Sequence, residues 1–144
     1  MTDRFPGLNR ILVGYDGSEP SARALRAALG LAEGLGARVW VVHATSPPPR
    51  VMEPQTEEQR GTEDGAVEAT LRRVRDVAST HRVEVEIVLR EGPAASVIES
   101  VAAEVGAELV VVGTRGLRGA TQVLLGSVST AVVGHGRRPT LVVP

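Results

Sequence analysis

Residues 10–44, RILVGYDGSEPSARALRAALGLAEGLGARVWVVHA, contain two apolar runs on either side of an amphipathic segment. The first run, residues 10–15, is short and ends at the turn-forming triplet at 16–18. The second run, residues 38–44, is continuously apolar and rich in β-branched side chains, which is typical of a strand buried on both faces. The whole stretch therefore predicts a β-α-β unit with two parallel strands.

The segment between these strands has the features of a helix with defined ends. Ser18 is a favourable N-cap, and Pro20 suits the first turn, where a missing N–H costs little. Alanine and leucine then recur at intervals of three and four residues until Gly36, a residue that favours a helix stop.

The same alternation continues along the rest of the chain. Residues 45–64 are an exception, because their prolines among polar residues predict a long, mobile loop. The other predicted elements are helices over 65–80, 94–105 and 127–136, and strands over 83–89, 108–113 and 139–143. Strands that alternate with helices predict one α/β domain over residues 1–144, with an open, parallel, doubly wound sheet of five strands. For such a Rossmann-like sheet we expect the strand order 3-2-1-4-5.

Composition excludes several kinds of chemistry. The chain has no cysteine, and all 16 basic residues are arginine, which removes thiolate nucleophiles, a Schiff-base lysine and a Walker-type phosphate lysine. The net charge of −1 predicts neither nucleic acid nor membrane as a partner. No apolar run approaches the length of a membrane span, and the first residues lack an apolar signal region, so we expect a cytoplasmic protein. The three histidines lie far apart and predict no metal site, and His43 is expected to be a hydrogen-bonded strand residue.

Two strand ends carry sequence that suits a ligand, and doubly wound sheets bind ligands at such ends. The stretch GTRGLRGATQVLLGSVS, residues 113–129, combines glycines that expose backbone N–H groups with Arg115 and Arg118, which can neutralise phosphate. Its last residues open a predicted helix, whose N-terminus favours an anion. The second such site is the turn after the first strand. Its Asp16 carboxylate could accept a hydrogen bond from a ribose hydroxyl or help to hold a divalent cation. The alternative interpretation of the residues after the first strand is a plain turn followed by a helix cap.

These residues carry a family resemblance. Gly113, Gly116 and Gly126-Ser127 have the spacing G-x2-G-x9-G-[S/T], which resembles the signature of ATP-binding universal stress proteins. ILVGYDGS at 11–18, VVHA at 41–44 and PTLVVP at 139–144 resemble the first, second and closing strands of that family. The likeness extends over nearly the whole chain and implies ATP as the ligand, and we expect Mg²⁺ to accompany it.

The resemblance also implies a set of contacts. Asp16 would face the ribose, the backbone at Ala44 would contact adenine, and Gly126 to Ser129 would receive the triphosphate. Arg115, Arg118 and Gly119 lie in the variable part of the signature, so their contacts are inferred from charge and position. The candidate binding residues are Gly14, Asp16, Ala44, Gly113, Thr114, Arg115, Gly116, Leu117, Arg118, Gly119, Gly126, Ser127, Val128 and Ser129.

Three functions suit these residues. The preferred one is a binding module of the stress response, in which ATP changes a loop or dimer state that an unknown protein partner reads. One alternative is a slow ATPase, although the sequence offers no evident residue to orient the water that hydrolysis needs. The other alternative is a module that binds another adenine nucleotide, AMP or cAMP. The resemblance further implies a homodimer through Thr140–Val143, an apolar strand that would otherwise be an exposed sheet edge.

Overall fold

The computed structural model of the protein describes residues 7–45, 57–114 and 127–144. Within these residues, strands and helices alternate along the chain. The elements are β1 (Arg10–Gly14), α1 (Glu19–Leu35), β2 (Arg38–Thr45), α2 (Glu57–Ala78), β3 (Val85–Glu91), α3 (Ala94–Val105), β4 (Leu109–Gly113), α4 (Ser127–His135) and β5 (Thr140–Val143).

The strands form one sheet in the order β3-β2-β1-β4-β5, and each neighbouring pair is parallel. β1 lies at the centre, where Ile11 pairs with Val39 of β2 on one side and with Leu109 of β4 on the other. The predicted doubly wound sheet and its strand order are therefore confirmed.

The core has two layers, one on each face of the sheet. Ile11, Leu29 and Val74 belong to the layer beneath α1 and α2, whereas Leu12, Val101 and Val132 belong to the layer beneath α3 and α4. Successive residues of a strand point to opposite faces, so the neighbours Ile11 and Leu12 are both fully buried in different layers. This explains why the apolar runs of the central strands are continuous.

The ends of α1 agree with the sequence prediction. Ser18 is the N-cap, and its Oγ accepts a hydrogen bond from the N–H of Ser21 at 3.3 Å. Gly36 ends the helix with φ 68°, a left-handed conformation that glycine adopts at little cost. Helix α3 also spans the predicted residues 94–105 and ends at Gly106.

The predicted loop over residues 45–64 is wrong in part. Thr45 is the last residue of β2, and α2 begins at Glu57, so the helix is one third longer than the sequence pattern indicates. Residues 57–64 have no apolar periodicity, but they lack proline and contain good helix formers such as glutamate. Residues 46–56 lie outside the described part of the chain.

Strand β3 lies two residues further along the chain than the predicted strand at 83–89. Its position is set by the register with β2, in which Val39 pairs with Val85 and Thr45 with Glu91. Val83 precedes the strand and packs against the first core layer, which gives it the apolar character that the prediction used. No helix in the described ranges has both the length and the apolar surface needed to cross a bilayer.

Candidate functional site

A cleft of about 160 Å³ opens at the carboxyl end of the sheet, between the ends of β1 and β4. The winding reverses there, because the connection from β1 runs over one face through α1 and the connection into β4 runs over the other through α3. Doubly wound sheets bind their ligands at this reversal. The cleft is lined by Gly14, Tyr15, Asp16, Ser21, Val42, Ala44, Ala94, Ile98, Val112, Gly113, Thr114, Val128 and Ser129.

The acidic turn after β1 forms one rim of the cleft. One carboxylate oxygen of Asp16 accepts a hydrogen bond from the N–H of Ser18 at 2.9 Å, and the intervening Gly17 has φ 84°. The N–H of Asp16 donates to Oγ of Ser21 at 3.3 Å. These bonds fix the turn while Asp16 stays exposed, and it is the sole charged side chain among the described residues of the cleft.

The ends of β1 and β2 are joined beyond their regular pairing. The N–H of Tyr15 donates to the carbonyl of Val42 at 3.0 Å, and Nδ1 of His43 lies 2.8 Å from the carbonyl of Tyr15. Since a carbonyl only accepts, this contact assigns the proton to Nδ1 of His43. His43 is thus the hydrogen-bonded strand residue that the sequence predicts.

The end of β4 is held from two directions. The N–H of Thr114 donates to the carbonyl of Val143 in β5 at 2.8 Å, and Oγ of Ser129 donates to the carbonyl of Thr114 at 3.3 Å. Ser129 lies in the first turn of α4 and is buried. The start of α4 therefore lies directly against the end of β4, beside the cleft.

Gly113 has a packing role that its place in the motif does not indicate. A Cβ at this position would lie 2.7 Å from the carbonyl carbon of Pro20 and 2.8 Å from the nitrogen of Ser21, so the first turn of α1 occupies that space. The backbone of Gly113 still lines the cleft. The missing side chain thus lets α1 dock against β4.

An apolar wall forms the inner side of the cleft. It consists of Val42 and Ala44 from β2, Ile98 from α3 and Val112 from β4, all part of or packed against the second core layer. Gly14 belongs here as well, since a Cβ on it would lie 2.9 Å from Cδ1 of Ile98. The inner side of the cleft therefore offers an apolar surface to a ligand.

The structure brings seven of the sequence-predicted residues to the cleft: Gly14, Asp16, Ala44, Gly113, Thr114, Val128 and Ser129. Six others lie outside the described part of the chain: Arg115, Gly116, Leu117, Arg118, Gly119 and Gly126. Ser127 begins α4, but its side chain is not described. Sequence reasoning missed six lining residues, namely Tyr15, Ser21, Val42, Ala94, Ile98 and Val112.

The charged pairs with shifted pKa values lie on the surface, outside the cleft. A hydrogen bond from Arg90 lowers the pKa of Glu104, and one from His81 lowers the pKa of Glu33. The first pair joins β3 to α3, and the second joins α1 to the segment after α2, so both have the character of structural ion pairs. Within the described ranges, no group of three His, Asp or Glu side chains could hold a metal ion.

Fold and cleft together define the class of this molecule, a doubly wound α/β protein with a candidate ligand site at the reversal of the sheet. The family model described as "Universal stress protein family" matches residues 7–144. The chain belongs to the universal stress protein family.

Individual relatives agree with this assignment. A universal stress protein in the QAH/OAS sulfhydrylase 3′ region of Thermus aquaticus is 35% identical over 140 residues, which cover 92% of this chain and 96% of that protein. Universal stress protein YxiE of Bacillus subtilis is 32% identical, with coverage of 94% and 98%. Among solved structures, a universal stress protein in complex with cAMP is 28% identical, with a TM-score of 0.72 and coverage of 96% and 98%.

Proposed function

We propose that the cleft binds ATP and that the protein is a nucleotide-dependent module of a stress response, read by a protein partner that is not yet known. The observation that carries the proposal is the convergence of two separate sequence signals on one cleft. Asp16 lies in the turn after β1, whereas Gly113 is the first residue of the glycine signature, and Val128 and Ser129 directly follow that signature near the other end of the chain. A cytoplasmic location stays a prediction from the sequence.

The described cleft suits the nucleoside part of ATP. Its volume of about 160 Å³ is below the roughly 300–1,000 Å³ of pockets that enclose drug-sized ligands, so it would hold part of the nucleotide. Adenine is flat and apolar on its faces, which suits the wall of Val42, Ala44 and Ile98. Asp16 at the rim would then accept a hydrogen bond from the ribose.

The triphosphate would extend from the ribose toward the start of α4. The N-terminus of a helix favours an anion through its first N–H groups and the positive end of its dipole, and Val128 and Ser129 of α4 line the cleft. Arg115 and Arg118 would neutralise the phosphate oxygens, because the chain has no lysine for that task.

Mg²⁺ fits the site as a companion of the nucleotide. Magnesium keeps several waters and is commonly held by one or two carboxylates together with substrate phosphates. The described residues of the cleft offer a single carboxylate, Asp16, and no metal cluster of their own. Binding of the metal would therefore depend on the phosphates, and ATP should bind more weakly when Mg²⁺ is chelated.

The test is direct measurement of ATP binding by calorimetry, together with identification of any nucleotide released when freshly purified protein is denatured. Gly116→Glu introduces a carboxylate into the proposed anion site and should abolish binding while the helical circular dichroism is kept. Gly65→Glu is the matched control, since Gly65 lies on the exposed surface of α2 with no atom within 4 Å of an added Cβ. Normal ATP binding by Gly116→Glu would show that the site is misplaced.

A second candidate ligand is a nucleoside monophosphate, AMP or cAMP. The specific observation in its favour is the cAMP complex of the solved family member at 28% identity. Calorimetric competition separates the candidates, because a site that grips three phosphates should bind ATP at least about tenfold more tightly than AMP or cAMP. Equal or tighter binding of cAMP would replace ATP as the proposed ligand.

We also propose that two copies pair through β5. This strand is the edge of the sheet beside β4, and Leu141 is exposed on it. Pro139 and Val143 direct their carbonyls at β4, so the alternate residues Thr140 and Val142 turn their backbone groups to the open edge. An apolar edge whose outward backbone groups have no partner in the described part of the chain is a template for pairing with another strand.

Val142→Pro tests the pairing, because it removes one N–H from the open edge and leaves the hydrogen bonds to β4 intact. We expect light scattering to show a dimer for the wild-type protein and a monomer for this variant. Val142→Ala is the control, since it also loses packing volume but keeps the N–H. A monomeric wild type, or a Val142→Pro variant that dimerises normally, would contradict the proposal.

A further inference from the structure

The hydroxyl of Ser21 is at the centre of the hydrogen bonds that shape the acidic turn. It accepts a hydrogen bond from the N–H of Asp16 at 3.3 Å and donates one to the carbonyl of Ser18 at 2.9 Å. The N–H of Ser18 in turn donates to the carboxylate of Asp16 at 2.9 Å. The three bonds close a ring that holds Asp16 by both its backbone and its side chain.

The position of Ser21 depends on Gly113. The backbone nitrogen of Ser21 lies 2.8 Å from where a Cβ of Gly113 would be, closer than real Cβ contacts allow. A glycine at the end of β4 therefore leaves room for the first turn of α1, which carries Ser21. Ser21 is buried, with 4% of its surface exposed, and it lines the cleft.

Ser21 has little left to offer a ligand directly. A hydroxyl carries one proton, and that of Ser21 is donated to the carbonyl of Ser18. Its main route to a bound molecule is therefore through Asp16, whose second carboxylate oxygen accepts no hydrogen bond from the described residues.

We infer that Ser21, seated by Gly113, is a positioning residue that holds the carboxylate of Asp16 for the hydroxyl groups of a ribose. The inference rests on the proposed binding of ATP and adds a determinant of sugar selectivity to it. Without the Ser21 hydroxyl, the backbone at Asp16 loses its partner next to the conformationally free Gly17, and the carboxylate becomes less well placed.

The experiment compares ATP with 2′,3′-dideoxy-ATP, which lacks both ribose hydroxyls, in calorimetric titrations. The wild-type protein should prefer ATP by about tenfold or more, the amount that a hydrogen bond to a charged group contributes. Ser21→Ala should lose most of this preference while its affinity for dideoxy-ATP changes by less than about twofold. In an Asp16→Ala background, Ser21→Ala should change the preference no further, because both act through one contact.

Controls separate positioning from loss of stability. Val74→Ala disturbs a fully buried residue of α2, away from the cleft, and should leave the nucleotide preference unchanged. Ser21→Cys keeps the shape of the side chain with a weaker hydrogen-bonding group, so it should give an intermediate preference even if the alanine variant folds poorly.

The outcomes distinguish this inference from the function on which it rests. If the wild type binds neither nucleotide, the proposed function fails and the inference falls with it. Tight and equal binding of both nucleotides by the wild type would overturn the inference alone. The inference alone would also be overturned if Ser21→Ala weakened the binding of both nucleotides equally, since that is the behaviour of a residue needed merely for structure.

Discussion

Substitution of Gly113 by alanine tests the docking of α1 against β4. The new Cβ would lie 2.7 Å from the carbonyl carbon and 2.8 Å from Cβ of Pro20, and these atoms belong to the start of a helix that cannot yield as a side-chain tip can. Overpacking of this kind costs about 3 kcal/mol at the upper end of its usual range. Loss of a flexible strand glycine returns about 0.5–1 kcal/mol. We therefore expect a net destabilisation of about 2 kcal/mol.

The measurement is the free energy of unfolding from urea titrations followed by circular dichroism. Gly30→Ala is the matched control, because Gly30 lies in α1 with open space around an added Cβ. It should stabilise the protein by about 0.5–1 kcal/mol through the better helix propensity of alanine. If Gly113→Ala stays within about 0.5 kcal/mol of the wild type, the close approach of α1 to β4 is not a constraint and the reasoning is refuted.

Two further variants test the core and the surface ion pairs. Leu29→Ala removes a fully buried side chain of α1 and should cost about 2–5 kcal/mol in urea unfolding. The same change at Leu35, which is 51% exposed, should stay within about 0.5 kcal/mol, and equal losses at both positions would contradict the packing of this helix. Glu104→Gln should destabilise the protein slightly near neutral pH, because Arg90 lowers the pKa of Glu104 in the folded state. A lowered pKa means that the contribution is present above the ordinary glutamate pKa and is lost as the pH falls through the folded value. The difference between wild type and variant should therefore shrink in acid, and a difference that grows in acid would show the sign to be wrong.

The order of elements was predictable because most of them have residues in the sequence that mark where they begin or end. Ser18 and Gly36 mark the ends of α1, and Gly106 marks the end of α3, so both helices fall where the sequence indicates. The start of α2 at Glu57 was not predictable from apolar spacing, because its first turns contain only polar residues and glycine. The position of β3 depends on its register with β2, which is a tertiary property.

The polar rim of the cleft was more predictable than its apolar wall. Asp16 stands out as a carboxylate directly after a buried strand, and Ser129 follows the glycine signature. Ile98 looks like any other buried residue on a helix, and only the packing of α3 across the sheet brings it to the cleft. Ser21 could have been found, since a second serine three residues after an N-cap can bond back to the turn.

The central place of β1 has a consequence for synthesis on the ribosome. Its two partners emerge at very different times, since Ile11 pairs with Val39 early in the chain and with Leu109 only near its end. A nascent chain therefore carries the β4-facing side of β1 uncovered while most of the protein is being made. Bare strand edges invite association with other chains, so this side of β1 is open to aggregation until β4 has been synthesised.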